Sequence, residues 1–374
     1  FDGLQIGSFF ATMGIASLFM PAVMGIIADR WIPAQRLLGL CHLFAAGFIT
    51  LAATRTDYNS LYTLVLLSVM FYMPTIALSN SVAYNALEKA GLDTVTHFPP
   101  IRVWGTVGFI CAMWVVDLGK MGLSATQLYF SATLGLILGL YSFTLPNCPI
   151  NRSGGGKSIV DLLGLRAFAL FKQRKMAIFF IFSMLLGMSL QITNAFADGY
   201  IKSFGDTGIH GAKYLGTFGV EHSTILISLS QISETLCILL IPFFLKRFGI
   251  KRVMLIAMFA WVLRFALLGA GNPGPGVWMF ILSMIVYGVA FDFFNISGSL
   301  FVEKETSAAI RSSAQGVFMI MTNGLGALIG SYLAGWVVNH YGWPLSWYLF
   351  AGFSLVVAIV FAVIFKYKHD PNRI

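Results

Sequence analysis

Six polar side chains recur three residues apart inside long apolar runs: Gln191 with Asn194, Gln231 with Glu234, and Asp292 with Asn295. Three residues is close to one helical turn, so each pair lies on one face of its helix. A charge in mid-bilayer costs roughly 2.5–3.5 kcal/mol, so Glu234 and Asp292 require a reason to be there. Carboxylates and amides converging from three helices could line a water-filled hollow, hydrogen-bond a neutral polar ligand, and pick up and release a proton. For a single amide such as Asn194 or Asn295, bonding between helices is an equal explanation, at about 0.6 kcal/mol per bond. Arg264 is the one basic residue far from the end of a run; it is expected to neutralise one of the carboxylates.

Earlier in the chain, Arg102, Thr106 and Phe109 fall on one stripe of a helix. Arg102 stands at the end of its run, where a snorkelling anchor is the simpler reading. Phe109 and Phe291 could stack on a flat ligand. With 34 Phe in 374 residues, most of these rings must instead face lipid or neighbouring helices.

The elements that position these groups follow from composition. The chain is 57% hydrophobic and 10% charged, whereas a water-soluble domain carries about 25% charged residues. Its natural unit is the apolar stretch of about 20 residues that crosses a bilayer. Eleven such runs are expected: 6–28, 37–53, 61–87, 101–116, 128–145, 176–199, 222–245, 253–270, 277–301, 314–338 and 345–365. Pro74 interrupts the third, which a helix bundle tolerates. The connections on one side hold nineteen Lys and Arg, those on the other hold four. That bias makes the basic side cytoplasmic, with the C-terminus inside and Phe1 outside. The net charge of +9 therefore reads as membrane topology, not as a nucleic-acid surface. An odd number of spans with an external start leads to the expectation that the first helix of twelve is absent.

The halves repeat each other. Ile101-Arg102 and Ile310-Arg311 each open a helix, and the turn with Asp29, Arg30 and Arg36 is echoed by Lys246, Arg247, Lys251 and Arg252. An N-terminal bundle over 1–145 and a C-terminal bundle over 176–374 are expected, joined by a cytoplasmic linker over 146–175 with a flexible Gly154-Gly155-Gly156 stretch. Such a repeat fits a transporter with six helices in each half. The turn ending in Asp29-Arg30 is similar to the loop signature of the major facilitator superfamily, where the pair would serve in conformational gating.

No enzyme signature is present. Gly154-Gly155-Gly156-Lys157-Ser158 has neither the spacing nor the preceding strand of a phosphate loop. Cys41, Cys111, Cys148 and Cys237 have no metal-ligand spacing and read as packing residues. No metal or cofactor is expected. Gly135-x-x-x-Gly139 and Gly326-x-x-x-Gly330 read as close helix contacts.

Longer segments carry a resemblance. His97–Ile110 (HFPPIRVWGTVGFI), Phe182–Asn194 (FSMLLGMSLQITN), Ser230–Leu236 (SQISETL), Tyr287–Glu305 (YGVAFDFFNISGSLFVEKE) and Ile310–Gly316 (IRSSAQG) resemble the nucleoside:proton symporter family of the major facilitator superfamily. The resemblance implies an all-α fold of two pseudo-symmetric bundles in a bacterial inner membrane, importing nucleosides with protons by alternating access as a monomer. It implies a site of Arg102, Thr106 and Phe109 facing Gln191, Asn194, Gln231, Glu234, Phe291 and Asp292. Glu234 or Asp292 would carry the proton. A carrier for another neutral solute, such as a sugar or free base, and a non-transporting receptor remain the alternatives.

Overall fold

The computed structural model describes residues 1–92, 94–150, 165–210, 212–306 and 311–367. The long elements among them are helices, as a backbone that must bond internally in hydrocarbon requires. They are Gly3–Arg30 (α1), Ala34–Ala52 (α2), Tyr58–Lys89 (α3), Thr94–Leu118 (α4), Thr126–Ser142 (α5) and Arg174–Ser203 (α6). Then follow Ser223–Ala270 (α7), Val277–Glu305 (α8), Arg311–Met319 (α9), Ala327–Tyr341 (α10) and Leu345–Ile364 (α11).

All eleven expected runs are occupied by helix, three of them with a difference. The 48 residues of α7 take up two runs; as one rod they would reach about 72 Å, more than twice a bilayer core. The break is Gly249, at φ 77° and ψ 165°, a backbone that only glycine adopts without strain. It sits among Lys246, Arg247, Lys251 and Arg252, in the expected basic turn. The run 314–338 is likewise not one regular helix. Ile320–Gly326, between α9 and α10, is a π-helical turn, a feature common at functional sites and invisible to hydropathy.

Local chemistry fixes the starts of two helices. Asp2 and Gln5 form a reciprocal capping box on α1, with the Asp2 carboxylate accepting from the Gln5 backbone N–H at 2.7 Å. Asp57 caps α3 by accepting from the Ser60 N–H at 2.9 Å.

Early helices pack on one another, α2 on α3 and α5, and α1 on α3, around Met20, Met24, Leu37, Leu38 and Leu78. Later ones pack α7 on α8 and α11, and α6 on the π turn and α10. Their core is aromatic, with the Phe179 ring 4.7 Å from Phe301 and 5.3 Å from Phe318. The two small-residue motifs act in packing as expected. Gly139 lies against Leu43 and Gly39, and Gly326 and Gly330 lie against Met184 and Met188 of α6.

Two seams join early helices to late ones. Along α1 and α10, Gly3, Gly7 and Gly14 oppose Gly335, Ser331 and Leu328; a Cβ on Gly14 would stand 2.6 Å from the Leu328 nitrogen. The second seam is α4 against α7. The Gly154–Lys157 stretch and the side chains of Asp29, Arg30 and Arg311 lie outside the described residues, so the gating pair has no structural account.

Candidate functional site

The face of α7 that carries Gln231 and Glu234 lies over the face of α8 that carries Tyr287, Phe291 and Asp292. Close helix approach makes this possible. A Cβ on Gly288 would stand 2.6 Å from the Ser233 carbonyl oxygen, and the Ser233 hydroxyl donates to the Ile285 carbonyl. Gln231 lies beside the Tyr287 hydroxyl. The Tyr287 and Phe291 rings stack with centroids 5.8 Å apart and planes 10° apart, and Trp261 meets Tyr287 edge-on at 6.1 Å. Glu234 lies within electrostatic reach of Asp292 on one side and of Arg102 on the other.

Arg102 is itself an exposed residue of α4. Its guanidinium lies against Gly105, one turn farther from the basic end. Thr106 is half-buried and Phe109 is 52% exposed on the same helix. On α6, Gln191 is buried while Asn194 is exposed.

Two acceptors stand out. The Asp292 Oδ2 and Gln191 Oε1 atoms are buried and, among the described residues, have no hydrogen-bond partner. Leaving such an atom unsatisfied costs about 1–3 kcal/mol, which a ligand or a proton can recover. Arg264 does not relieve Asp292, contrary to expectation. It is 1% exposed, donates from Nη1 to the Ser283 carbonyl at 2.5 Å, and lies 4.8 Å from the centre of the Tyr287 ring. Asn295, one turn from Asp292 on α8, lines a pocket with Phe291, Leu190, Trp261, Thr322 and Asn323.

Sequence reasoning missed Tyr287, Trp261 and the π-turn pair Thr322 and Asn323. Tyr287 could have been found, because it precedes Phe291 by four residues and so shares its face. Asn323 could not, because a π turn shifts which side chains point inward.

Comparison with known proteins decides the family. A model described as "Nucleoside H+ symporter" matches residues 1–370. The chain belongs to that family. Relatives include the nucleoside permease NupG of Escherichia coli (strain K12), 51% identical over 376 residues, which span 99% of this chain and 89% of NupG. The xanthosine permease of the same organism is 49% identical over 381 residues, spanning 100% of this chain and 90% of the permease. The crystal structure of the nucleoside transporter NupG matches with a TM-score of 0.90 at 51% identity, over 98% of this chain and 92% of that one. This symporter-family chain is therefore a multi-pass membrane transporter of the major facilitator fold, not an enzyme.

Proposed function

We propose that the protein imports nucleosides together with protons, by alternating access around the α7–α8 site. The observation that carries this is the meeting of stacked Tyr287 and Phe291 with Gln231, Glu234 and Asp292, and with Arg102 opposite. A nucleoside offers a flat base and a hydroxyl-rich ribose. Phe291 and, from the facing helix, Phe109 suit the base; Gln191, Asn194, Gln231 and Glu234 suit the hydroxyls, with Thr106 and Arg102 closing the other side. Asp292, buried and with its Oδ2 atom unpartnered among the described residues, is the better placed proton carrier, and Glu234 lies in electrostatic reach of Arg102.

In this reading residues 1–145 and 176–374 rock against each other, with 146–175 as tether and Asp29-Arg30 as a gate. The basic end faces the cytoplasm of a bacterium, and the carrier works as a monomer in the inner membrane. The cavity stands open toward that end. In support, the α1–α10 and α4–α7 seams lie toward the opposite end, and a crevice lined by Asn295, Ser299, Gln315 and Met319 runs along α8 and α9 toward the basic end.

Uptake of labelled uridine into proteoliposomes, under an imposed proton gradient and membrane potential, tests the proposal. Accumulation should collapse on adding a protonophore. Unlabelled nucleosides should compete, while sugars and free bases should not. Competition by sugars or free bases alone would replace the nucleoside reading with a different neutral solute. Saturable binding without accumulation would replace it with a receptor.

A further inference from the structure

The α4–α7 seam carries an arrangement that the substrate site does not use. Asp117, near the end of α4, is the only buried side chain among the described residues of that helix. One of its carboxylate oxygens accepts from His222 Nδ1 at 2.6 Å; the other accepts from the Thr224 backbone N–H at 3.2 Å. Thr224 is the second residue of α7 and His222 precedes the helix. The carboxylate of one half thus caps the first turn of a helix in the other half, where exposed N–H groups and the helix dipole favour a negative charge.

The contact is reinforced around it. Trp114, one turn before Asp117, donates its indole N–H to the Ser228 hydroxyl at 2.8 Å, one turn further along α7. On the α6 side, Asp198 accepts from the Ser223 hydroxyl at 2.6 Å, from the Thr224 hydroxyl at 3.2 Å and from Lys202 at 2.6 Å. The capped turn of α7 is therefore anchored to its own half by Asp198 while Asp117 grips it from the other. Both carboxylates stand at the end that is poor in Lys and Arg.

We propose that Asp117, His222 and the first turn of α7 form the outer latch of the carrier, the contact that must break before the cavity can open to the outside. It rests on the transport reading, because a receptor would have no need to open there. Hydrogen bonds that end on a buried carboxylate and a helix start are directional, so they hold one closed arrangement and are lost together on separation.

Two measurements test it. In the first, spin labels on Lys120→Cys and Glu221→Cys, with Cys111 replaced, report the separation of the outer ends. Asp117→Asn should add a longer-distance population, and Asp117→Glu should largely restore the parental distribution. An unchanged distribution in Asp117→Asn overturns the latch. In the second, Asp117→Cys with His222→Cys is joined by a short bifunctional thiol reagent. The joined protein should lose at least tenfold in uridine uptake and still exchange bound uridine from the inner side. Full uptake by the joined protein overturns the latch, while a parent that never accumulates uridine overturns the transport reading instead.

Discussion

Replacing Asp292 by Asn should leave a carrier that binds and exchanges nucleoside but no longer concentrates it. Asp292 is 4% exposed and its Oδ2 atom has no partner among the described residues, Arg264 being committed to the Ser283 carbonyl and the Tyr287 ring. One charge moved across 100 mV is worth about 2.3 kcal/mol, so a potential near 150 mV supplies about 3.5 kcal/mol. At 1.36 kcal/mol per tenfold, that sustains an accumulation of a few hundredfold for one proton per nucleoside. Asparagine keeps the size and the hydrogen-bonding edge but cannot carry the proton, so the ratio should fall from that level to about one. Loss of one hydrogen bond of about 0.5–1.5 kcal/mol should change KM by no more than about tenfold. The assay is labelled uridine accumulation in energised proteoliposomes, run beside counterflow exchange, which needs no net proton movement. Glu234→Gln should weaken both activities, because Arg102 then loses the carboxylate in its reach. If Asp292→Asn and Glu234→Gln both accumulate uridine to the parental ratio, neither carboxylate carries the proton and the assignment is wrong.

Other consequences follow from single contacts. Phe291→Ala removes the ring proposed to stack on the base; at about 0.5–1.5 kcal/mol per aromatic pair, uridine KM should rise roughly 2- to 13-fold, and loss of the stack on Tyr287 should also lower thermal stability. Gly14→Val drives a side chain into the Leu328 backbone, so thermal unfolding in detergent should show a loss of about 1–3 kcal/mol. Arg264→Met keeps the volume but removes the cation above Tyr287; the expected outcome is a stable protein with a raised KM, and a parental KM would show that Arg264 does not position that ring.

What was legible in the chain depended on whether the signal was local. The spans could be read because each is an unbroken apolar run, and the turn at Gly249 because its basic neighbours interrupt one. Glu234, Asp292 and Gln191 could be read because a polar group in such a run is conspicuous whatever surrounds it. Arg264 was conspicuous too, yet its partners were misjudged: opposite charge suggested a carboxylate, and the fold gave it a backbone carbonyl and an aromatic face. Asp117 and His222 escaped notice because both sit at span ends, where a charged residue is ordinary. Their importance lies in a pairing across 105 residues that no periodicity announces.

The proposed latch and the proposed substrate site share two helices, α4 and α7. Along the antiparallel seam, Asp117 meets Thr224 and Trp114 meets Ser228. Continued in that register, α4 brings Arg102 opposite residues 239–240 of α7, about one and a half turns beyond Glu234. The Arg102 guanidinium, turned back over Gly105, keeps the two in electrostatic reach. Asp117 and Arg102 are fifteen residues apart on one helix, about 22 Å at 1.5 Å per residue. A helix of that length moves nearly as a rod, so tilting α4 away from α7 to free Asp117 also changes the separation of Arg102 from Glu234. Binding at the site and closure of the outer end are then two readings of one helix–helix angle. The consequence is measurable. Arg102→Ala, which removes the inner contact and leaves Asp117 in place, should alter the spin-label distances at Lys120 and Glu221 in the presence of uridine. Distances that respond to uridine identically in Arg102→Ala and the parent would show that α4 bends between the two contacts and that the ends move independently.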